Sequence, residues 1–163
     1  MASQLLTDHT VAFIQREVAS DLASCSAQLR PSGCRGFACL VSPDRQRLTI
    51  HVRKSEAGQL LEDVRSQDKI AAVFCLPATE VAIQIKGSNV HLLEVDADGI
   101  ASIERDRHAF VDGIVPLGHD RGFGLAYMSA EPDQMVALEF SPESVFDQTP
   151  GPKAGQAMSP QST

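Results

Sequence analysis

The sequence predicts a mainly β protein, a small closed or nearly closed barrel of antiparallel strands with flanking helices. Three observations lead there. Roughly six or seven short segments either alternate apolar and polar residues or are rich in β-branched ones. Tight turns join them, which implies antiparallel pairing, because parallel neighbours need long crossovers. Helical periodicity falls between groups of strands rather than between every pair, so the helices flank a sheet that closes on itself.

The elements follow in order. Residues 8–23 place Val11, Ile14, Val18 and Leu22 on one helical face, with Thr7 or Asp8 as the N-cap. Residues 24–29 and 36–41 read as strands joined by a turn over RPSGCR, where Pro31 and Gly33 break the run. Pro43 and Asp44 open another turn. The strand LTIHV at 48–52 then points Leu48, Ile50 and Val52 inward and Thr49 and His51 outward. The helix at 55–66 carries Ala57, Leu60, Leu61 and Val64 on one face. Strands at 70–76 and 80–86 follow, separated by a turn at Pro77. A break at Gly87-Ser88-Asn89 precedes a further strand at 90–95, and 96–99 turns the chain. Ile103, Arg107, Phe110 and Ile114 set a helix beginning near Ser102, and 119–129 continues as helix. The last strand is 136–140.

At 163 residues the chain is long enough for one domain with a real core. Residues 1–147 are expected to form that single domain with its N-terminal helix. Residues 148–163 are expected to be a Pro/Gly-rich C-terminal tail, poorly ordered at its end.

Charge and composition remove several functions. A net charge of −7 argues against nucleic acid, which needs a basic face to displace phosphate counterions. Arg45, Arg47, Arg53 and Lys54 are the one basic cluster of note. The longest apolar run, 70–78, is broken by Pro77 and is far below the roughly 20 residues that span a bilayer. The N-terminus lacks the pattern of a secretory signal, so a cytoplasmic protein is expected. In that compartment the four cysteines stay reduced, and Cys25, Cys39 and Cys75 act as small hydrophobes within apolar segments. Five histidines show no metal-ligand spacing, and no metal site is expected. His51 and His91 lie on strands as surface or groove residues. The run GHDRGFG at 118–124 has neither a strand before it nor a phosphate-binding lysine after it, and reads as a flexible helix start.

The chemistry lies at one join. Arg53 and Lys54 end a strand, and Ser55 is placed to cap the helix that follows. A helix N-terminus offers unpaired N–H groups and the positive end of the peptide dipole, so two cations beside it suit a phosphate.

The run of elements around LTIHV, AGQLLEDVRSQ, DKIAAVFCLPATEVAIQIKG and FDQTPGP resembles the pyridoxamine 5′-phosphate oxidase-like family of FMN-binding split β-barrels, over roughly residues 8–155. The resemblance implies a split β-barrel fold and a homodimer with FMN at the subunit interface. It maps the family's phosphate contacts onto Arg53, Lys54 and Ser55, and directs Gln84 and Lys86 toward the flavin. Better-studied members begin this helix with Ser-Arg-Lys. Here the aligned step is Gly58, Gln59 and Leu60, of which only Gln59 can still reach a phosphate, and Ala82 stands where many members carry a Gln. These departures argue against true pyridoxamine-phosphate oxidation. The expectation is an FMN-binding, oxidoreductase-like protein acting on a small-molecule redox substrate, with no nucleic-acid or membrane partner. The alternative is a non-catalytic split-barrel module that has lost tight flavin binding and holds haem or another small ligand.

Overall fold

In the computed structural model, which describes residues 5–158, six antiparallel strands close into a barrel in the order β1-β2-β3-β6-β5-β4. The strands are β1 (Ala19–Cys25), β2 (Pro31–Val41), β3 (Leu48–Arg53), β4 (Ile70–Cys75), β5 (Ala82–Leu93) and β6 (Met135–Asp147). The helices are α1 (Asp8–Ile14), α2 (Lys54–Gln67), α3 (Ala97–Ile114) and α4 (Arg121–Tyr127). None of the helices is long and apolar enough to cross a membrane.

Closure explains where the sequence reading went wrong. The helix expected over 8–23 stops at Ile14, and Val18 and Leu22 do not share its face. Residues from Ala19 instead become β1, paired with β2 on one side and β4 on the other, so two hydrogen-bonded ladders outweigh a local helical pattern. Leu22 points into the barrel. The turn accordingly moves to 26–30, where Leu29 takes a positive φ of 60°, and PSGCR at 31–35 lies within β2.

Gly87-Ser88-Asn89 does not end a strand. β5 runs through it with a bulge, and any Cβ at Gly87 would strike the Ser141 carbonyl and approach Phe140 Cδ2 to 2.6 Å. Glycine lets the backbone of β6 come close at that point. The strands expected at 80–86 and 90–95 are therefore one. β6 likewise extends well past the expected 136–140, with Pro142 accommodated opposite the bulge at Gly87.

Leu48, Ile50, Val52, Ala72, Phe74, Ile85, Leu138 and Phe140 fill the barrel and are fully buried or nearly so. Ala57, Leu60, Leu61 and Val64 of α2 join the same core, as the helical periodicity predicts. A second cluster lies outside the barrel wall, where Ile103, Phe110 and Ile114 of α3 pack on Phe37, Ala38, Met128 and Met135. The helices pack chiefly against β1, β2 and β3.

The Pro/Gly-rich segment turns back on the barrel as far as it is described. Gln148 N–H donates to the Ala82 carbonyl at 2.8 Å, Met158 N–H to Val145 at 2.8 Å, and Ala157 bridges to Phe146. The expected poor order of the tail's end falls on 159–163, outside the described residues. Truncation after Ser141 removes the β6 segment that pairs with Ile83–Gly87, and with it the buried Val145 of the core. The expected result is loss of a cooperative thermal transition, a larger effect than the about 3–5 kcal/mol of Phe140→Ala. An unchanged Tm in the truncated protein would refute it.

Candidate functional site

Arg53 is the last residue of β3 and pairs with Met135 of β6. That pairing holds its backbone extended, at φ −80° and ψ 123°, so the N-cap position of α2 falls on Arg53 and not on Ser55. An arginine side chain cannot accept a hydrogen bond from the first turn. The first turn of α2 is thus left without a side-chain cap. Ser55 lies inside that turn and is exposed, which corrects its expected capping role.

Both cations at the junction hold the segment that leads into β6. The Arg53 guanidinium pairs with Glu56, donates to the Ser129 carbonyl and lies 4.6 Å over the Phe37 ring. Lys54 Nζ donates to the Asp133 carbonyl at 3.1 Å. Glu56 carries the opposing charge in the same helical turn.

Arg35 adjoins this junction, and the sequence reading missed it by placing it in a turn. Its guanidinium stacks 3.8 Å over Tyr127 and donates to the Tyr127 hydroxyl and, at 3.7 Å, to Met128 Sδ. Burial pulls its pKa below the ordinary guanidinium value, Asp21 and Glu56 oppose that, and Arg53 adds to it. The only sequence signal was an Arg two residues before an apolar run, and that pattern is common.

Strand register carries the surface onward from Arg35. Arg35, Asp21, Val73, Gln84 and Phe146 form one register row across β2, β1, β4, β5 and β6. At its far end Gln84 Oε1 accepts from Gln148 Nε2 at 3.3 Å, so the FDQTPGP turn borders Gln84. Lys86 stands in the adjacent row with Ala71, Ala23 and Gly33, its Nζ 4.8 Å over the Phe146 ring. It helps line a groove of about 380 Å³ that also contains Cys25, Lys69 and Ser144. Arg53 and Lys54 therefore come together, and Gln84 and Lys86 come together, at opposite ends of the row. Gln59 joins neither pair. Its Nε2 donates at 3.1 Å to the buried Asp63, which also accepts from Ser32 Oγ at 2.5 Å.

His51 is not a groove residue. It does point outward from the barrel, but α3 covers it and leaves it 1% exposed. A Cβ at Gly99 would come within 2.6 Å of its Nε2, so glycine in the first turn of α3 makes room for the ring. Among the described residues its Nδ1 has no hydrogen-bond partner. Asp96 caps α3 by accepting from Gly99 N–H at 2.8 Å, which turns the expected 96–99 turn into a helix start. In GHDRGFG, Gly118 takes φ 96° and Asp120 caps α4 through Phe123 N–H at 2.8 Å. Burial pushes the Cys34 thiol up to about 12 and the Cys39 thiol higher still, so neither is a ready nucleophile. Among the described residues no three His, Cys, Asp or Glu converge as a metal site.

No protein-family model matches this sequence, and no curated protein does. Solved structures do match. An F420 reductase superposes with a TM-score of 0.55 at 13% identity, covering 82% of this chain and 93% of its own. A pyridoxamine 5′-phosphate oxidase-related, FMN-binding protein from Nostoc punctiforme gives 0.52 at 14% identity, covering 95% and 97%. HupZ from Group A Streptococcus gives 0.53 at 14%, covering 91% and 98%. The chain thus has the split β-barrel fold, the fold of pyridoxamine 5′-phosphate oxidase-related proteins.

Burial lowers the pKa of His51 below the ordinary imidazole value, against smaller upward pulls from the Ala38 backbone, Asp96 and Asp106. The unfolded chain then binds this proton more readily than the folded one. The stabilisation is complete above the unfolded pKa, about 6.5, and is lost as pH falls below it toward the folded value. Urea unfolding between pH 8 and pH 5 should show wild-type stability falling more steeply than that of His51→Gln. Parallel curves would rule out His51 as the titrating group.

Proposed function

We propose that this protein binds a flavin-type cofactor, FMN, through its phosphate at the junction of β3 and α2, and serves as an oxidoreductase-like protein for a small-molecule redox substrate. One observation carries the reading: the first turn of α2 has no side-chain cap and is flanked by Arg53 and Lys54. Backbone N–H groups and two cations suit a phosphate in that position. Support also comes from structurally similar proteins, one an FMN-binding protein and one an F420 reductase.

A bound flavin supplies the redox chemistry, and the chain's residues bind and orient it. Arg53 and Lys54 would hold the phosphate, with the exposed Ser55 hydroxyl as a further donor. Gln84 and Lys86 are the polar groups proposed for the flavin itself. Gln59 serves the phosphate only if it leaves Asp63. The four free thiols accord with a reducing, cytoplasmic setting.

A second reading is favoured by one feature. Arg53 is already held by Glu56 and the Ser129 carbonyl, and Lys54 by the Asp133 carbonyl. A split-barrel module whose cations have become structural would bind another small ligand without catalysis. Fluorescence-quench titration separates the two. The double variant Arg53→Ala, Lys54→Ala should weaken FMN binding by about 2–4 kcal/mol, while riboflavin, which lacks the phosphate, should lose little. An unchanged FMN affinity moves the phosphate elsewhere, and no binding by wild type favours the second reading.

We also propose a homodimer. The outward residues Ala23, Ala71 and Val73 make a surface of small side chains on β1 and β4, away from the α3 side. Two-fold pairing is the commonest way to cover such a surface. Size-exclusion chromatography with light scattering at micromolar concentration should give twice 17.5 kDa, and a mass of 17.5 kDa would count against the dimer.

A further inference from the structure

We propose that residues 94–134 form a lid on the barrel that a proton on His51 releases, and that the docked lid keeps Arg35, Arg53 and Lys54 occupied. Such a lid needs no bound cofactor. β5 and β6 are paired neighbours, with Leu93 opposite Ala137, so the chain between them leaves and rejoins the sheet at adjacent points. It contributes no strand to the barrel and can lift without breaking any strand pairing. Its parts are fastened to one another. Arg107 of α3 donates through Nε and Nη2 to the Leu125 carbonyl of α4 at 3.1 and 2.9 Å. Gly124 of α4 lies where a Cβ would come within 3.0 Å of Ile114 Cδ1 in α3. The far end then reaches the cations: Tyr127 and Met128 take Arg35, the Ser129 carbonyl takes Arg53, and the Asp133 carbonyl takes Lys54.

The release point lies beneath α3. The first turn of that helix rests on His51, and Gly99 makes room for the ring. The Nδ1 without a partner is denied a hydrogen bond that water would supply once the helix lifted. A proton would add a charge in the same dry position. Asp96 and Asp106 of α3 favour the imidazolium, but burial outweighs them. Asp106 is already engaged by Arg105 and by the Cys39 N–H of β2. Arg53 stands two residues along β3 on the same outward side and adds a like charge. On β6 the residue opposite His51 is Ala137, and Glu139 beyond it pairs with Arg47 at 3.9 Å. β2 brings Ala38 to that position and turns Cys39 into the barrel. The proton is therefore taken up where α3 lifts and the ring meets water. Ile103, Phe110 and Ile114 hold α3 down on Phe37 and Ala38, so the opening is local and infrequent until His51 is charged.

The test is hydrogen–deuterium exchange of wild type, His51→Gln and Gly99→Ala at pH 7.5 and pH 5.5, corrected for intrinsic rates. In wild type, α3 and α4 should be less protected than the barrel strands. They should open together up to about tenfold more at pH 5.5, one unit below the ordinary imidazole pKa of about 6.5. His51→Gln should keep the local opening and lose its pH dependence. Helices as protected as the strands at both pH values open only with the whole fold, which overturns the lid. A pH response that survives in His51→Gln overturns the role of His51. Gly99→Ala, whose Cβ would stand 2.6 Å from His51 Nε2, should open α3 at pH 7.5 without the proton. Tyr127 is the only tyrosine in a chain without tryptophan, so the tyrosine band in near-ultraviolet circular dichroism reports the far end of the lid. That band should weaken in Gly99→Ala as Tyr127 leaves Arg35. An unchanged band beside an opened α3 overturns the link to the cations. Should either variant fail to fold, the wild-type exchange decides: protection of α3 and α4 that is flat with pH, or that changes in α3 alone, refutes the proposal.

Discussion

The structure depends on how β6 closes the barrel. β1, β2 and β3 form one run of hairpins and β4 and β5 another, joined through the β1–β4 pairing, and without β6 both ends of this sheet would be open edges. β6 pairs with β3 along its first half and with β5 along nearly its whole length. To serve both neighbours it must pass the bulge at Gly87, where only a residue without a Cβ lets the Ser141 carbonyl come so near. One glycine and one long strand thus remove the exposed edges that would otherwise template association.

The candidate site inherits its geometry from that closure. Pairing of Arg53 with Met135 keeps β3 extended to its last residue, so α2 starts abruptly and its first turn has no side-chain acceptor. The chain entering β6 passes the same point, and its carbonyls at Ser129 and Asp133 take up the two cations. The uncapped helix start and the internal neutralisation of its cations are therefore consequences of one strand pairing. How far the cations remain available to a ligand is a competition between similar hydrogen bonds, with Glu56 weighing against an anion.

The helices settle which barrel surfaces remain open. α3 lies on β2 and buries His51 against Gly99, converting an outward strand position into a second core. The outer surface of β1 and β4 keeps small residues, and the row from Arg35 to Gln84 crosses it. Arg35 stacks on Tyr127 of α4 and Arg53 on Phe37 of β2, so the junction draws in aromatic residues that lie far apart in the chain.

Local pattern was enough for much of this protein. The apolar face of α2, the alternation of LTIHV and the antiparallel barrel class all follow from periodicity, because burial on one side imposes a period that the residues themselves display. The cationic pair at the start of α2 was legible for the same reason: it depends on neighbours in the chain. What local pattern could not decide was every feature set by a distant partner. Residues 19–23 read as helix alone and become part of β1 because two strands claim them. Gly87 reads as a break until the closeness of β6 makes it a bulge. His51 reads as exposed until a helix some fifty residues later covers it, and Arg35 reads as a turn until its strand brings it beside Arg53. Periodicity records which side of an element is buried by its own sheet or core, whereas pairing and covering are decided by chain segments that meet only when the barrel closes.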